Sequence, residues 1–335
     1  MRNDTRALYN AYLQQLAQLH GVSDVTTKFT AEPSVAQRLE TRIQESSEFL
    51  TRINMYGVQE QAGELIGLGV TGPIASTTNT LTTDRSTQDM TALDDRSYLC
   101  TQTNFDTHIT YAKLDAWAKF ADFQSRIRDA ILKRQALDRI MIGWNGTSRA
   151  ATSNPATNPL RQDVNVGWLE KMRVENSARV MTEVVAASGA IRIGGAGDYA
   201  NLDALVFDLV NEMIEPWYQE DPELVVICGR QLLADKYFPL INQTQAPTEQ
   251  LAADIVMSQK RLGGLPAVRV PFFPATGLMV TRLDNLSIYW QESTRRRQVA
   301  DNAKRDRIEN FESVNDAYVI EDLGCAAMAE NIAFV

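Results

Sequence analysis

The chain has 335 residues, 44% of them hydrophobic, and a formal net charge of −9 at pH 7. That length accommodates one large domain or two ordinary ones around a real core, and no apolar run approaches the roughly 18–20 residues of a membrane helix. The acidic balance makes the chain a poor general binder of nucleic acid, because affinity for phosphates comes from neutralising them.

Met1 to Thr5 leads into a polar, helix-like segment instead of an apolar signal core, so no secretory address is expected. Tyr9, Tyr12, Leu13, Leu16 and Leu19 recur at spacings of three and four, predicting an amphipathic helix with Asp4 as cap and Gly21 as stop. After a polar link, Pro33-Ser34-Val35-Ala36-Gln37 has the form of a capping box, and Val35, Leu39 and Ile43 continue one apolar face. Neither helix carries enough apolar surface to stand alone, which predicts an arm packed on something else.

From about Tyr56 to Thr110, Gly and Thr dominate. The run Ser76 to Thr83 is polar but β-favouring, and predicts a two-stranded excursion with a loose tip near residues 77–96. A lone hairpin is marginal in water, so a neighbouring subunit is one support it could have, while a disordered surface loop has the same composition. Next, Leu114, Trp117, Phe120, Phe123, Ile127, Ile131, Leu137 and Met141 repeat at helical spacing, with no Gly or Pro between 106 and 142. This predicts a helix of roughly thirty residues, about 45 Å long, whose stripe is core. Gly143 and the stretch from Asn145 to Pro159 are its expected end. The second half alternates a helix over 201–215, a buried strand at Leu224–Cys228, helices at Gln231–Phe238 and Thr248–Ser258, and strands at Ala267–Val270, Leu278–Thr281, Ser287–Trp290 and Tyr318–Glu321. The class is mixed α+β.

Candidate chemistry is thin. Gly67-Leu68-Gly69-Val70-Thr71-Gly72 has dinucleotide-fingerprint spacing, but Pro73 and a Thr-rich stretch follow where a helix N-terminus is needed. Gly194-Gly195-Ala196-Gly197-Asp198 lacks the Lys-Ser/Thr ending of a phosphate loop and reads as a joint between subdomains. The carboxylates of Glu215 to Pro222 are adjacent in sequence, which does not supply a cleft, so a helix-to-strand corner with solvated acids is expected. Ser47 has no His/Asp partner that spacing nominates. Cys100, Cys228 and Cys325 form no pair and suit a reducing cytoplasm, while His20 and His108 are too few for a zinc site. Arg295-Arg296-Arg297, with Lys304, Arg305 and Arg307, is the one basic concentration. Asp301, Asp306, Glu309 and Glu312 interleave with it, favouring inter-subunit or local ion pairing over phosphate binding. No catalytic, cofactor-binding or metal residue is nominated.

Several longer runs carry a resemblance: Glu32 to Val35, Glu45 to Asn54, Ile66 to Gly72, Val166 to Leu169, Ile214 to Pro222, Arg230 to Pro239 and Leu265 to Pro271. In this order they resemble the major capsid proteins of Peduovirus-type (P2-like) tailed phages. The resemblance implies the Hong Kong 97-type capsid fold: an N-terminal arm over 1–55, an extended β-hairpin loop over 56–110, a peripheral domain with a spine helix over 111–200 and 301–335, and an axial domain over 201–300. It also implies pentamers and hexamers of itself in an icosahedral shell, with a scaffolding protein or maturation protease and a portal protein as partners. Double-stranded DNA would be packaged non-specifically, with no membrane and no cofactor. The product would be a virion capsid assembled in the host bacterial cytoplasm. Removal of residues 1–29 near Phe29-Thr30 is implied in the same way.

Overall fold

The first helix, α1 (Asn3–His20), follows the predicted stripe: Tyr9 and Leu16 are buried, and Gly21 takes the left-handed conformation that ends it. The computed structural model describes residues 1–65, 75–87, 96–117, 123–233 and 261–335. Asp4 is not the cap. Arg2 occupies that position without a side-chain bond, and Asp4 lies in the first turn, where its charge suits the helix dipole. After β1 (Phe29–Thr30), helix α2 (Pro33–Glu45) begins two residues earlier than a capping box at Ser34 requires. Proline lacks an N–H and has a preset φ, so it takes the first helical position and Ser34 falls inside the turn. Helix α3 (Glu48–Arg52) leads to β2 (Asn54–Val58).

The excursion is two-stranded only at its base, where β3 (Ala62–Glu64) pairs antiparallel with β4 (Ser97–Leu99); the β-favouring run Ser76 to Thr83 is not strand but exposed irregular backbone and turn. Its base is tied to its own subunit, because Arg96 donates to the carbonyls of Ile320 and Glu321, and Tyr98 meets Tyr289 edge-on at 5.1 Å. Next come β5 (Thr101–Asn104) and β6 (Thr107–Thr110). Residues 107–110 therefore do not begin the long helix: Thr107, Ile109 and Thr110 are β-branched, and they pair with a strand described below. Helix α4 (Tyr111–Trp117) and helix α5 (Phe123–Asn145) occupy the predicted helical stretch. Gly143 does not end α5. A Cβ there would stand 2.3 Å from the Trp168 ring, so this glycine lets an indole lie directly on the helix backbone.

Helix α6 (Trp168–Glu175), β7 (Val180–Met181), β8 (Ile191–Ile193) and α7 (Leu202–Met213) come next. Asn201 caps α7 by accepting from the Ala204 amide at 2.9 Å. The remaining strands are β9 (Leu224–Cys228), β10 (Arg261–Leu262), β11 (Leu265–Arg269), β12 (Leu278–Arg282), β13 (Leu286–Gln291), β14 (Arg296–Asn302), β15 (Arg307–Ile320), β16 (Ala327–Ala329) and β17 (Ile332–Phe334). Most of the two helices expected over 231–258 lies outside the described residues.

Two sheets organise these strands. The first runs β1-β14-β15-β13-β2, with β5 and β6 on the other side of the long strand β15. The second runs β10-β11-β9-β12-β16-β7. Alternation along the second sheet explains the apolar run at β9. Ile227, Met279 and Met328 face a core containing Trp144, Trp168 and Phe49, while Val226, Cys228, Leu278 and Val280 face Leu205 and Leu209 of α7. A strand buried on both faces needs no polar face. The charged stretch 296–317 lies in the β14–β15 hairpin, in register from Arg296↔Ser313 to Asn302↔Arg307. Strands β13 and β14 thus pair in the first sheet, and β16 joins the second.

Candidate functional site

Besides Ile43, Phe49, Leu50 and Ile53, which enter the main core, the arm meets the body at an apolar contact and at a charged one. Helix α1 lies on Leu114, Val299 and Ile308, together with Val25 and Phe29, and the partly buried Ile127 packs against the same cluster. Three residues singled out from the sequence, Phe29, Leu114 and Ile127, are therefore brought together. Phe29 and Thr30 pair with Arg297 and Arg296 of β14, with Phe29 buried and Thr30 exposed. Trp117 is 48% exposed, so it is not core of this subunit: at this end of the helical stretch the covered side belongs to Leu114. Ile131 is half-buried; Phe120 and the side chain of Phe123 lie outside what is described. On α5 the buried face is instead Leu132, Gln135, Ala136, Arg139 and Ile140.

Two members of that face are polar, and they mark the second contact. Arg139 reaches Glu40 of α2 at 2.5 and 3.2 Å and Asp316 of β15 at 3.1 and 3.2 Å. Arg295 donates to Glu312 at 2.7 Å and to Gln135 at 3.0 Å, and also pairs with Glu40. Gln135 donates in turn to Glu312 at 3.1 Å. All six side chains are buried. Arg297, 3.9 Å from Glu312, brings the charge count to three cations and three carboxylates. Arg295 is thus an intramolecular partner, not an inter-subunit one; its neighbour Arg296 is exposed on the opposite face of β14. The reason is strand alternation.

Burial by itself would raise the Glu40 carboxyl, but Arg139 and Arg295 outweigh it and hold it below its usual range. Glu312 experiences the same opposition, and Arg295 with Arg297 brings it down to about 2. Asp316 moves the other way: burial, reinforced by Glu40, raises it against the pull of Arg139. Glu40 alone ties α2 to Arg139 of α5, 99 residues away, and to Arg295 at the start of the β14–β15 hairpin, 255 residues away. No local spacing pointed to Glu40, Gln135, Arg139 or Asp316; an arginine on the covered face of a helix was the one available signal.

The other candidates have structural uses. The glycine cluster Gly67–Gly72 lies outside the described residues. In the second cluster the amides of Gly194 and Gly197 are taken by Tyr199 and Gly194 carbonyls, and a Cβ on Gly194 would stand 2.2 Å from the Val335 oxygen. Those amides do not face an anion, and the C-terminal strand packs there. At the 215–222 corner two acids are paired and not simply solvated: Glu215 with Arg179, and Asp221 with Arg282 at 3.0 Å. The three thiols are free and buried. Burial pushes Cys100 and Cys228 up to about 12 and Cys325 up to about 11. Among the described residues no His, Cys, Asp and Glu group could hold a metal.

The chain matches the family model described as phage major capsid protein, P2 family, over residues 8–332. It is 55% identical to the capsid protein of Escherichia phage P2, covering 99% of this chain and 95% of that one. It is 40% identical to the major capsid protein of Serratia phage KSP20, covering 100% and 98%. Among solved structures it matches a chain of the satellite phage P4 procapsid that includes the size determination (Sid) protein. That match has a TM-score of 0.84 and 53% identity, covering 100% of this chain and 99% of that chain.

Proposed function

The chain belongs to the P2 family of phage major capsid proteins, and from that premise we propose how one copy works in a shell. The reading is that copies close into pentamers and hexamers of an icosahedral procapsid, assembled in the host bacterial cytoplasm. The observation that carries it is the likeness, along the whole chain, to a procapsid subunit. A net charge of −9 suits a wall that contains DNA without adhering to it. We read the chain as a structural element and not a catalyst.

Within the subunit, residues 1–55 act as arm and 56–110 as extended loop. The first sheet with α5 serves as the peripheral framework, and 201–285 with α7 as the part nearest the capsomer centre. Sheet membership supports placing 286–302 with the framework. The extended loop, whose expected tip near 77–96 lies partly outside the described residues, is the part that contacts a neighbouring subunit. Arg296 and Trp117, exposed in the single chain, contribute contacts between subunits or to assembly partners. Those partners are a scaffolding protein or maturation protease and a portal protein.

Removal of residues 1–29 at Phe29-Thr30 accompanies maturation. In this conformation the bond lies in β1, paired to β14, so cleavage needs β1 to open first. Intact-mass spectrometry of mature virions is expected to find a chain beginning near Thr30; an uncut Met1 or Arg2 start overturns that step. Negative-stain microscopy of the expressed chain tests the main reading. Uniform shells or rings are expected, whereas dispersed small particles would overturn it.

A further inference from the structure

Helix α1 is held by contacts of two qualities. Its first turns are well anchored: the Met1 ammonium faces Asp115 at 3.8 Å, the Arg2 amide donates to Asp115 at 2.9 Å, and Arg6 pairs with Asp301 at 2.5 Å. Farther along, polar groups are buried without satisfaction. The Tyr9 hydroxyl, both ring nitrogens of His20 and the Nε of Arg297 have no hydrogen-bond partner among the described residues. Such groups favour release, because water would pair them once the helix left.

His20 is the one of these groups whose charge changes near neutrality. It is the last residue of α1, 4% exposed, with its ring tilted on Phe29 at 5.0 Å. Arg297 of β14, and Arg295 just before that strand, oppose a proton on it. Glu312 of β15 favours one, as does the carbonyl end of α1. Glu312, however, is already engaged by Arg295 and Gln135.

We propose that His20 is an acid-sensitive latch for the amino-terminal helix. Neutral, it seals the end of α1 against Phe29 and the β14–β15 hairpin. Protonated, it places a third cation beside Arg295 and Arg297 with no hydrogen-bond acceptor among the described residues, and α1 lifts from Leu114, Val299 and Ile308. Helix α2 stays, because Glu40 holds it through Arg139 and Arg295.

The direction follows from linkage. Burial first, then the two arginines, lowers docked His20 from 6.5 to about 4. The undocked helix binds more protons between those values, so docking weakens by about tenfold per pH unit as pH falls through that window. The carboxylates that anchor the first turns titrate lower. Asp115 is held below its usual 3.8 by the Arg2 amide, and Asp301, although burial acts against it, by Tyr111 and Arg6. This inference does not depend on cleavage at Phe29-Thr30, since it concerns the uncut chain.

The test is hydrogen–deuterium exchange of the full-length chain from about pH 7 to about pH 5, corrected for intrinsic rates. Protection over α1 is expected to fall progressively while α2 stays protected. His20→Phe keeps a ring against Phe29 but cannot take a proton, and α1 is expected to stay protected throughout. If the larger ring already undocks α1 near neutrality, His20→Leu replaces it as the non-titrating variant. An α1 that keeps full protection in the parent at about pH 5 overturns the latch. So does a non-titrating variant that loses protection in parallel with the parent. If neither variant docks, the parent's own profile decides: without a loss of protection above about pH 4 the proposal falls.

Discussion

Replacing Glu40 by alanine removes one carboxylate from a buried set of three carboxylates and two fully paired guanidiniums. Arg139 keeps Asp316 and Arg295 keeps Glu312, but each loses the partner that α2 supplied. Breaking a buried pair from one side costs about 3–5 kcal/mol, because the remaining charge can neither ionise away nor reach water. With a urea slope of about 3 kcal/mol per molar, the midpoint should fall by about 1–1.7 M. The assay is urea unfolding followed by the emission of Trp144 and Trp168, both fully buried. Glu40→Gln keeps the shape and one acceptor oxygen, so its loss is expected to be smaller, on the order of 2 kcal/mol. A midpoint for Glu40→Ala within about 0.2 M of the parent would refute the view that this network holds the arm.

Gly143→Ala drives a methyl into the Trp168 ring and is expected to cost about 1–3 kcal/mol in the same urea assay; an unchanged midpoint would contradict the close packing described there. In acid, Glu40 and Glu312 have folded-state values below their usual 4.5. Their stabilisation is complete above that value and is lost as pH falls through it toward about 2, whereas Asp316, raised by burial, works in the opposite sense. Calorimetry should therefore show a lower melting temperature at about pH 3 than at about pH 5. Glu312→Gln is expected to flatten part of that dependence. The three buried thiols, all displaced upward, should resist an aromatic disulfide reagent at about pH 8 in the folded chain and react on unfolding. Rapid labelling of folded chain would place at least one of them at the surface.

Elements with one covered stripe or a continuous apolar run were legible because their period survives in one dimension. The helix ending at Gly21, the strand Leu224–Cys228, helix α7 and strands β12 and β13 all appear within a residue or two of where the pattern placed them. The family resemblance, carried by runs in both halves of the chain, added the kind of fold and the kind of assembly. Hydrophobic pattern failed where polarity concealed regular structure. Strands β14 and β15 carry Arg, Asp, Glu and Asn on both faces, so the stretch read as a basic cluster, yet its backbone pairs over seven positions. Gly143 read as a stop because helix propensity is local, while the reason for a glycine there, the Trp168 ring, lies 25 residues away.

Composition, charge and periodicity by themselves determined an acidic α+β chain with a real core, an arm that needs a surface to pack on, and no convincing catalytic set. The tertiary structure alone decided what that arm touches. It put Glu40, Arg139, Arg295, Glu312 and Asp316 in one buried cluster, and His20 beside Phe29 with no hydrogen-bond partner among the described residues. Charge on a side chain is visible in a sequence, but whether water or a guanidinium compensates it depends on burial and on partners brought from distant segments. That is why Arg295 and Arg296, adjacent and chemically identical, end on opposite sides of the question: one is buried among carboxylates and the other is open to solvent.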